Sequence, residues 1–253
     1  MRNIKLTISY DGSGYHGWQT QPNAKTIQET MEKALAKMTG TEVNLIASGR
    51  TDAGVHAIGQ VANFLTFTDI PATGFQKGLN SLLPTDIAVL FAEEVHADFH
   101  ARKWAKEKEY LYRLVINGER LPLLHNRAWV LRQRPDIHEM RLCAKHLEGR
   151  HDFTSFMASG SSIKTAIRTV TLIEVEEGTN LDYASLGLKE IRVKVRANGF
   201  LRYMVRNMVG FLVEAGLGKR SADDVPIVLE KRDRNAAGPC APAAGLYLAK
   251  VFY

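Results

Sequence analysis

Residues 2–40, RNIKLTISYDGSGYHGWQTQPNAKTIQETMEKALAKMTG, decide the fold, because the hydrophobic spacing changes within them. Ile4, Leu6, Ile8 and Tyr10 alternate with polar residues, the period of a half-buried strand. From Thr26 the period lengthens to that of a helix: Ile27, Met31, Leu35 and Met38 make one apolar stripe, and Gly40 stops it. Thr26 with Glu29 reads as a capping box, in which a hydroxyl and a carboxylate each satisfy a backbone N–H left open at a helix start.

The rest of the chain extends this strand-then-helix pattern. Strands are expected around 43–48 and 60–67 and a helix near 73–82, and the apolar run Ile87–Val95 closes a first half. A second half repeats the order. Tyr110–Ile116 is strand-like, and Asp136 with Glu139 caps a helix whose stripe is Ile137, Met140, Ala144 and Leu147, ending at Gly149. Strands follow near 166–176 and 190–198, then the apolar helix 204–216 and a last strand, Leu246–Phe252. The spacing predicts an α+β fold of two ferredoxin-like β-α-β-β-α-β halves, residues 1–100 and 101–253, joined near 100–108. The halves share a pattern and no residue-level similarity.

Composition sets outer limits. With 253 residues, 45% hydrophobic and 24% charged, the chain reads as an ordinary soluble globular protein with room for a substantial core. It has no apolar run near the ~20 residues of a membrane helix. Its first residues, MRNIKLTISYDG, lead into a strand instead of a secretory signal, so a cytoplasmic location is expected. Cys143 and Cys240 are spaced neither as a disulfide framework nor as a metal site, and read as buried, reduced thiols. Lys and Arg outnumber Asp and Glu by 33 to 27, a weak lean toward a polyanionic partner.

The chemistry concentrates in Ala47-Ser48-Gly49-Arg50-Thr51-Asp52-Ala53-Gly54-Val55-His56-Ala57-Ile58-Gly59-Gln60. Its small residues at 47–49 and 53–54 let a large flat group approach the backbone. Arg50 and Asp52 stand out from that gap on the same side. The residues alone favour a turn in which Asp52 merely bonds its own backbone.

GRTDAGVHAIGQ resembles the catalytic motif of the tRNA pseudouridine synthase A family, and other blocks do so in the same order. Tyr10-Asp11-Gly12 with Tyr15, Gly17-Trp18-Gln19 and Thr26-Ile27-Gln28 is similar to that family's opening signature. Phe99-His100-Ala101-Arg102 leading to Tyr110-x-Tyr112, then His151-Asp152-Phe153-Thr154-Ser155-Phe156, Met204-Val205-Arg206-Asn207 and Gly245-Leu246-Tyr247-Leu248 complete it. The blocks cover nearly the whole chain.

The resemblance implies a uridine isomerase that uses no cofactor and no metal, with the two sheets side by side around a central RNA-binding cleft. Uridine's base leaves its sugar through N1, turns, and rejoins through C5. Asp52 matches the family's nucleophile, a carboxylate able to bond transiently to an electron-poor carbon. Burial would neutralise it, and the family's arginine, Arg206, is expected to keep it negative by pairing. Tyr110 matches the tyrosine that stacks on the extruded uracil, with Tyr112 on the same face by strand alternation. Arg50 resembles the base-flipping residue, a planar cation that fills the gap in the stack. His56 is expected to order the loop or to contact RNA, and Asp11 and Asp152 to serve turns.

Two segments would carry RNA. Arg102, Lys103, Lys106, Lys108 and Arg113 are interleaved with Trp104, Tyr110 and Tyr112. On the strand Ile191–Ala197, Arg192, Lys194 and Arg196 share the face opposite Ile191, Val193 and Val195, which predicts a basic strip continued by Arg202 and Arg206. The resemblance implies a tRNA anticodon stem-loop as substrate, with uridines 38, 39 and 40 modified, and a homodimer. The apolar stretches Ile87–Val95 and Met204–Ala215 suit an interface or the core. The loop Gly160-Ser161-Ser162 is one the family varies, and Pro239-Cys240-Ala241-Pro242 has no close match. Two other classes compete. One is a non-catalytic RNA-binding or chaperone module using the same basic face. The other is an Asp-nucleophile hydrolase or phosphotransferase, against which stands the want of a clustered Asp pair or a Gly-Lys-Ser/Thr phosphate loop.

Overall fold

A computed structural model describes residues 1–160 and 163–253, so two of the three residues of the expected variable loop, Ser161 and Ser162, lie outside the described residues. The elements among those described are β1 (Arg2–Tyr10), α1 (Ile27–Thr39), β2 (Ile46–Ala47), β3 (His56–Thr66), α2 (Ala72–Leu82), β4 (Ile87–Val95), β5 (Glu107–Ile116), β6 (Trp129–Leu131), α3 (Ile137–Leu147), β7 (Gly149–Asp152), β8 (Ile167–Thr179), β9 (Lys189–Ala197), α4 (Met204–Gly216), α5 (Asp224–Lys231) and β10 (Leu246–Phe252). The class is α+β, as the spacing predicts. Contacts divide the chain into Met1–Lys106 with Tyr247–Tyr253, and Glu107–Leu246.

In the first unit β1 lies antiparallel between β3 and β4, and β2 pairs with β3. The residues 247–253 return to this unit, where β10 runs parallel to β3 through Tyr247 opposite His56 and Leu248 opposite Ala57. Half of the expected capping box forms: Thr26 accepts the N–H of Glu29, while the Glu29 carboxylate pairs with Lys33 one turn on instead of reaching back. Gly40 closes the helix in the left-handed region at φ 73°. Helix α1 buries Ile27, Met31, Ala34 and Leu35, while Met38 lies over Gly78 of α2. Ile4, Leu6, Ile8 and Phe64 are fully buried, each such side chain contributing roughly 1.5–3 kcal/mol by leaving water. Strand β2 is shorter than predicted for a visible reason. The N–H of Leu45 donates to the Glu32 carboxylate of α1 at 2.9 Å, so the chain before Ile46 is held by a helix side chain, not by a ladder.

In the second unit β9 lies antiparallel between β5 and β8, β7 borders β8, and the short β6 runs parallel to β5. Asp136 caps α3 by accepting the N–H groups of His138 and Glu139. Helix α4 is core: it buries Met204, Val205, Met208, Val209, Phe211 and Leu212 among others. The other apolar run is split, with Ile87 and Val89 buried and Phe91 67% exposed. Gly210 is required where it stands, because a Cβ there would meet the Pro239 carbonyl oxygen at 1.9 Å. That contact seats the 239–242 segment against α4. Among the described residues no helix is long and apolar enough to cross a membrane.

Candidate active site

The loop between β2 and β3 is held from below and from one side, all within the first unit. Below, the buried Gln60 accepts from the Ser48 hydroxyl at 2.7 Å and donates to the Gly49 carbonyl at 2.9 Å. Tyr10, at the end of β1, shares its hydroxyl with Thr51 at 2.8 Å. Burial pushes the Tyr10 phenol well above its ordinary value despite the Thr51 and Gln60 contacts, so it stays neutral and serves as a hydrogen-bonding post. On the side, the Trp18 N–H donates to the Thr51 carbonyl at 3.0 Å, and the Gly54 N–H to the Tyr15 carbonyl at 3.3 Å. Gly17 makes that approach possible. Its φ is 92°, and a Cβ would come within 2.6 Å of the Thr51 oxygen.

Asp52 therefore sits on a braced turn. Its own carbonyl accepts the Val55 N–H at 3.1 Å, closing the turn, and the residue is half-buried. Arg50, two residues earlier, is exposed. His56 follows at the first position of β3 and is 2% exposed, stacked on Tyr247 with centroids 4.6 Å apart. Its Nδ1 lies 3.2 Å from both the Gly12 N–H donor and an Asp11 carboxylate oxygen. Of the two roles expected for His56, ordering the loop is the one its burial fits. Asp11 also accepts from the N–H and hydroxyl of Ser13, and Asp152 from those of Thr154, the turn roles expected of both. Arg102 and Lys103 are exposed in the segment after β4.

In the second unit Tyr110 is buried on β5, opposite Val195, and edge-on to Phe200 at 4.9 Å. Tyr112 is fully buried and donates to the Pro242 carbonyl at 2.7 Å. Burial lifts its phenol far above the ordinary value, a neutral support for the 239–242 segment. Arg206 occupies the first turn of α4, half-buried. Its Nε–H donates to the Ala241 carbonyl at 2.7 Å, and its guanidinium lies 4.7 Å over the Tyr203 ring. No carboxylate of its own unit, among the described residues, pairs with it.

The expected basic strip is a mixed-charge face. Glu109 on β5 stands opposite Arg196, and Glu174 and Glu176 on β8 stand opposite Lys194 and Arg192. Arg196 binds Glu109 at 2.6 Å, and Lys194 binds Glu174 at 2.7 Å. Arg192 binds Glu190 at 3.1 Å, and Glu190 is also gripped by both Nε and Nη2 of Arg113. Burial alone would raise the Glu190 carboxyl, but the Arg113, Arg192 and Asn180 contacts outweigh it and hold it below its ordinary value. Sequence reasoning missed Tyr10, Gln60 and Glu190. Tyr10 ends the alternating run of β1, a position that could have signalled a buried post. Neither cysteine forms a disulfide; Cys143 is buried as expected, whereas Cys240 is only half-buried.

A carboxylate-bearing residue on a braced turn, with an arginine two positions earlier in the chain, is suited to nucleophilic attack on a nucleotide. A family model described as tRNA pseudouridine synthase matches residues 6–102 and 143–253, and the chain belongs to that family, isomerases that act on tRNA uridine. The chain is similar end to end to proteins named tRNA pseudouridine synthase A: 45% identical to that of Acetivibrio thermocellus and 47% to that of a Thermoanaerobacter species, each over the whole of both chains. It is 44% identical to that of Myxococcus xanthus, spanning 92% of it. Tyr110 falls between the two segments matched by the family model and within the full-length similarities.

Proposed function

We propose that this enzyme converts uridine to pseudouridine at positions 38, 39 and 40 of the tRNA anticodon stem-loop, without cofactor or metal, with Asp52 as nucleophile. The bracing of the Asp52 turn carries this reading, because a nucleophile must meet its carbon in one geometry. Asp52 forms a transient covalent bond to the nucleotide, and that bond breaks again, returning its electron pair to the carboxylate, before product leaves. The N1 glycosidic bond breaks, the uracil turns, the C5–C1′ bond forms, and the C5 proton departs while N1 regains one. Tyr110 stacks on the base and its hydroxyl assists the C5 proton. Arg206, with no carboxylate of its own unit to neutralise it, supplies the positive charge that keeps a shielded carboxylate ionised.

Arg50 fills the gap left in the RNA stack, and Arg102 and Lys103 hold phosphates. Arg192, Lys194 and Arg196 contribute to the RNA surface only by exchanging a carboxylate for a phosphate. His56 acts on RNA through the loop it orders. The working form is a cytoplasmic homodimer. The test incubates purified protein with unmodified tRNA, without metal, and maps pseudouridine. Product at 38–40, lost on the order of 10⁴-fold in Asp52→Asn while RNA binding persists, is expected. RNA binding without any product would make the chain a binding module, and unimpaired Asp52→Asn would remove the nucleophile.

A further inference from the structure

The first unit holds a cavity of about 270 Å³ beside the Asp52 turn, lined by Trp18, Gln19, Asn44, Arg50, His100 and Arg102 among others. Its chemistry is donor-rich. Two guanidiniums face it, and no carboxylate lines it. Neither the Arg50 nor the Arg102 side chain is hydrogen-bonded or ion-paired among the described residues. His100 is fixed in one tautomer by its own loop. Its Nδ1 accepts the N–H groups of Arg102 at 3.2 Å and Lys103 at 3.4 Å, so the ring proton sits on Nε2 and the histidine is left as a donor.

The wall is stiff as well. Gln28, which also lines the cavity, ties its amide to Glu32 at 2.9 Å and accepts from the Thr20 N–H at 3.4 Å. Trp18 is 2% exposed. Two guanidiniums not engaged elsewhere and an N–H donor, with no carboxylate in the lining, are the recognition chemistry of a phosphate, and a planar fork suits a phosphodiester's two free oxygens.

We propose that this cavity binds the RNA phosphodiester immediately flanking the uridine that reacts at Asp52, with Arg102 as its main ligand and His100 as a second donor. Placement follows from chain length: Arg50, on the cavity wall, is two residues from Asp52, a span of at most about 7 Å. A phosphate held there belongs to the neighbouring linkage and not to a distant arm. The clamp keeps the backbone stationary while the nucleotide swings out, so the extruded base is not pulled back into the stack. This rests on the RNA substrate proposed above.

The experiment uses the intact enzyme and an anticodon stem-loop RNA in which the phosphodiester on the 5′ or the 3′ side of the target uridine is replaced by a neutral methylphosphonate. One replacement is expected to weaken wild-type binding about 10-fold, as loss of a charge-assisted hydrogen bond does. Arg102→Ala is expected to weaken binding of the unmodified RNA similarly and to lose nothing more when that methylphosphonate is present; Arg102→Lys keeps part of the effect. Losses that multiply in the doubly altered complex, or no loss in Arg102→Ala, overturn the assignment. So does saturation of the cavity by inorganic phosphate alone without coupling to the RNA backbone. Pseudouridine formation by the wild type is assayed separately, so a missing product sinks the functional reading while the coupling is still read from binding.

Discussion

Gly17 offers the sharpest test of the idea that the Asp52 turn works because it is braced. Gly17→Ala does two things at once. It places an L side chain at φ 92°, which costs about 1–2 kcal/mol, and it drives a Cβ to 2.6 Å from the Thr51 oxygen and 3.1 Å from the Asp52 carbonyl carbon. Ordinary contact begins near 3.4 Å, so Thr51 must retreat by roughly 0.8 Å and take Asp52 with it. A shift of about 1 Å at a reacting group costs up to about 100-fold in rate. The expected result is a Tm lower by roughly 2–8 °C, and kcat for pseudouridine formation lower by about 10- to 100-fold at a temperature where the variant remains folded. Gly40→Ala is the control. Its φ is 73° and nothing lies within 4 Å, so it carries the same backbone cost without the push. It should lose comparable stability and keep its kcat. Near-normal kcat in Gly17→Ala, or an equal loss in Gly40→Ala, refutes the reasoning.

Two further outcomes follow from the ion pairs of the second unit. Arg192 is held by Glu190, so Arg192→Ala should change the salt slope of RNA binding by clearly less than the ~0.7–0.9 of one full phosphate contact, as titrated between low and physiological salt; a full step would place it on the RNA backbone. Glu190 has its folded-state carboxyl held below the ordinary 4.5, so it binds fewer protons than in the unfolded chain. Its contribution is therefore present above about pH 4.5 and is lost as pH falls through the lower folded value. Denaturation curves of the wild type should weaken across that acid window more steeply than those of Glu190→Gln, and parallel curves would show that the pairing carries no linkage.

Local signals in the sequence were legible wherever a few neighbouring residues settle the matter. Thr26, Glu29 and Gly40 bound α1 because capping is decided within one turn, and the alternation of β1 survives because one face is fully buried. What the sequence could not reveal depends on register. Lys194 and Arg196 look like bare cations along their own strand, yet pairing with β8 and β5 brings Glu174, Glu176 and Glu109 to them, whereas Arg192 is held by Glu190 of its own strand. Glu32 replacing the ladder at Leu45 is likewise a contact between distant residues, which no strand period encodes. The Asp52 turn was found by its motif, but its supports, Tyr10 and Gln60, belong to strand faces that read only as packing. Along the strand Tyr10 is one more position of the apolar alternation, because its hydroxyl finds Thr51 only once β1 and the turn are in place.

The parallel seam between β3 and β10 has a consequence for how the molecule is made. His56 rests on Tyr247, which is synthesised 191 positions later. At roughly 5–20 residues per second, that delay is on the order of 10–40 s. Through it the Asp52 turn waits on the ribosome with one wall missing, and a chain that stops before Tyr247 lacks the ring on which His56 stacks.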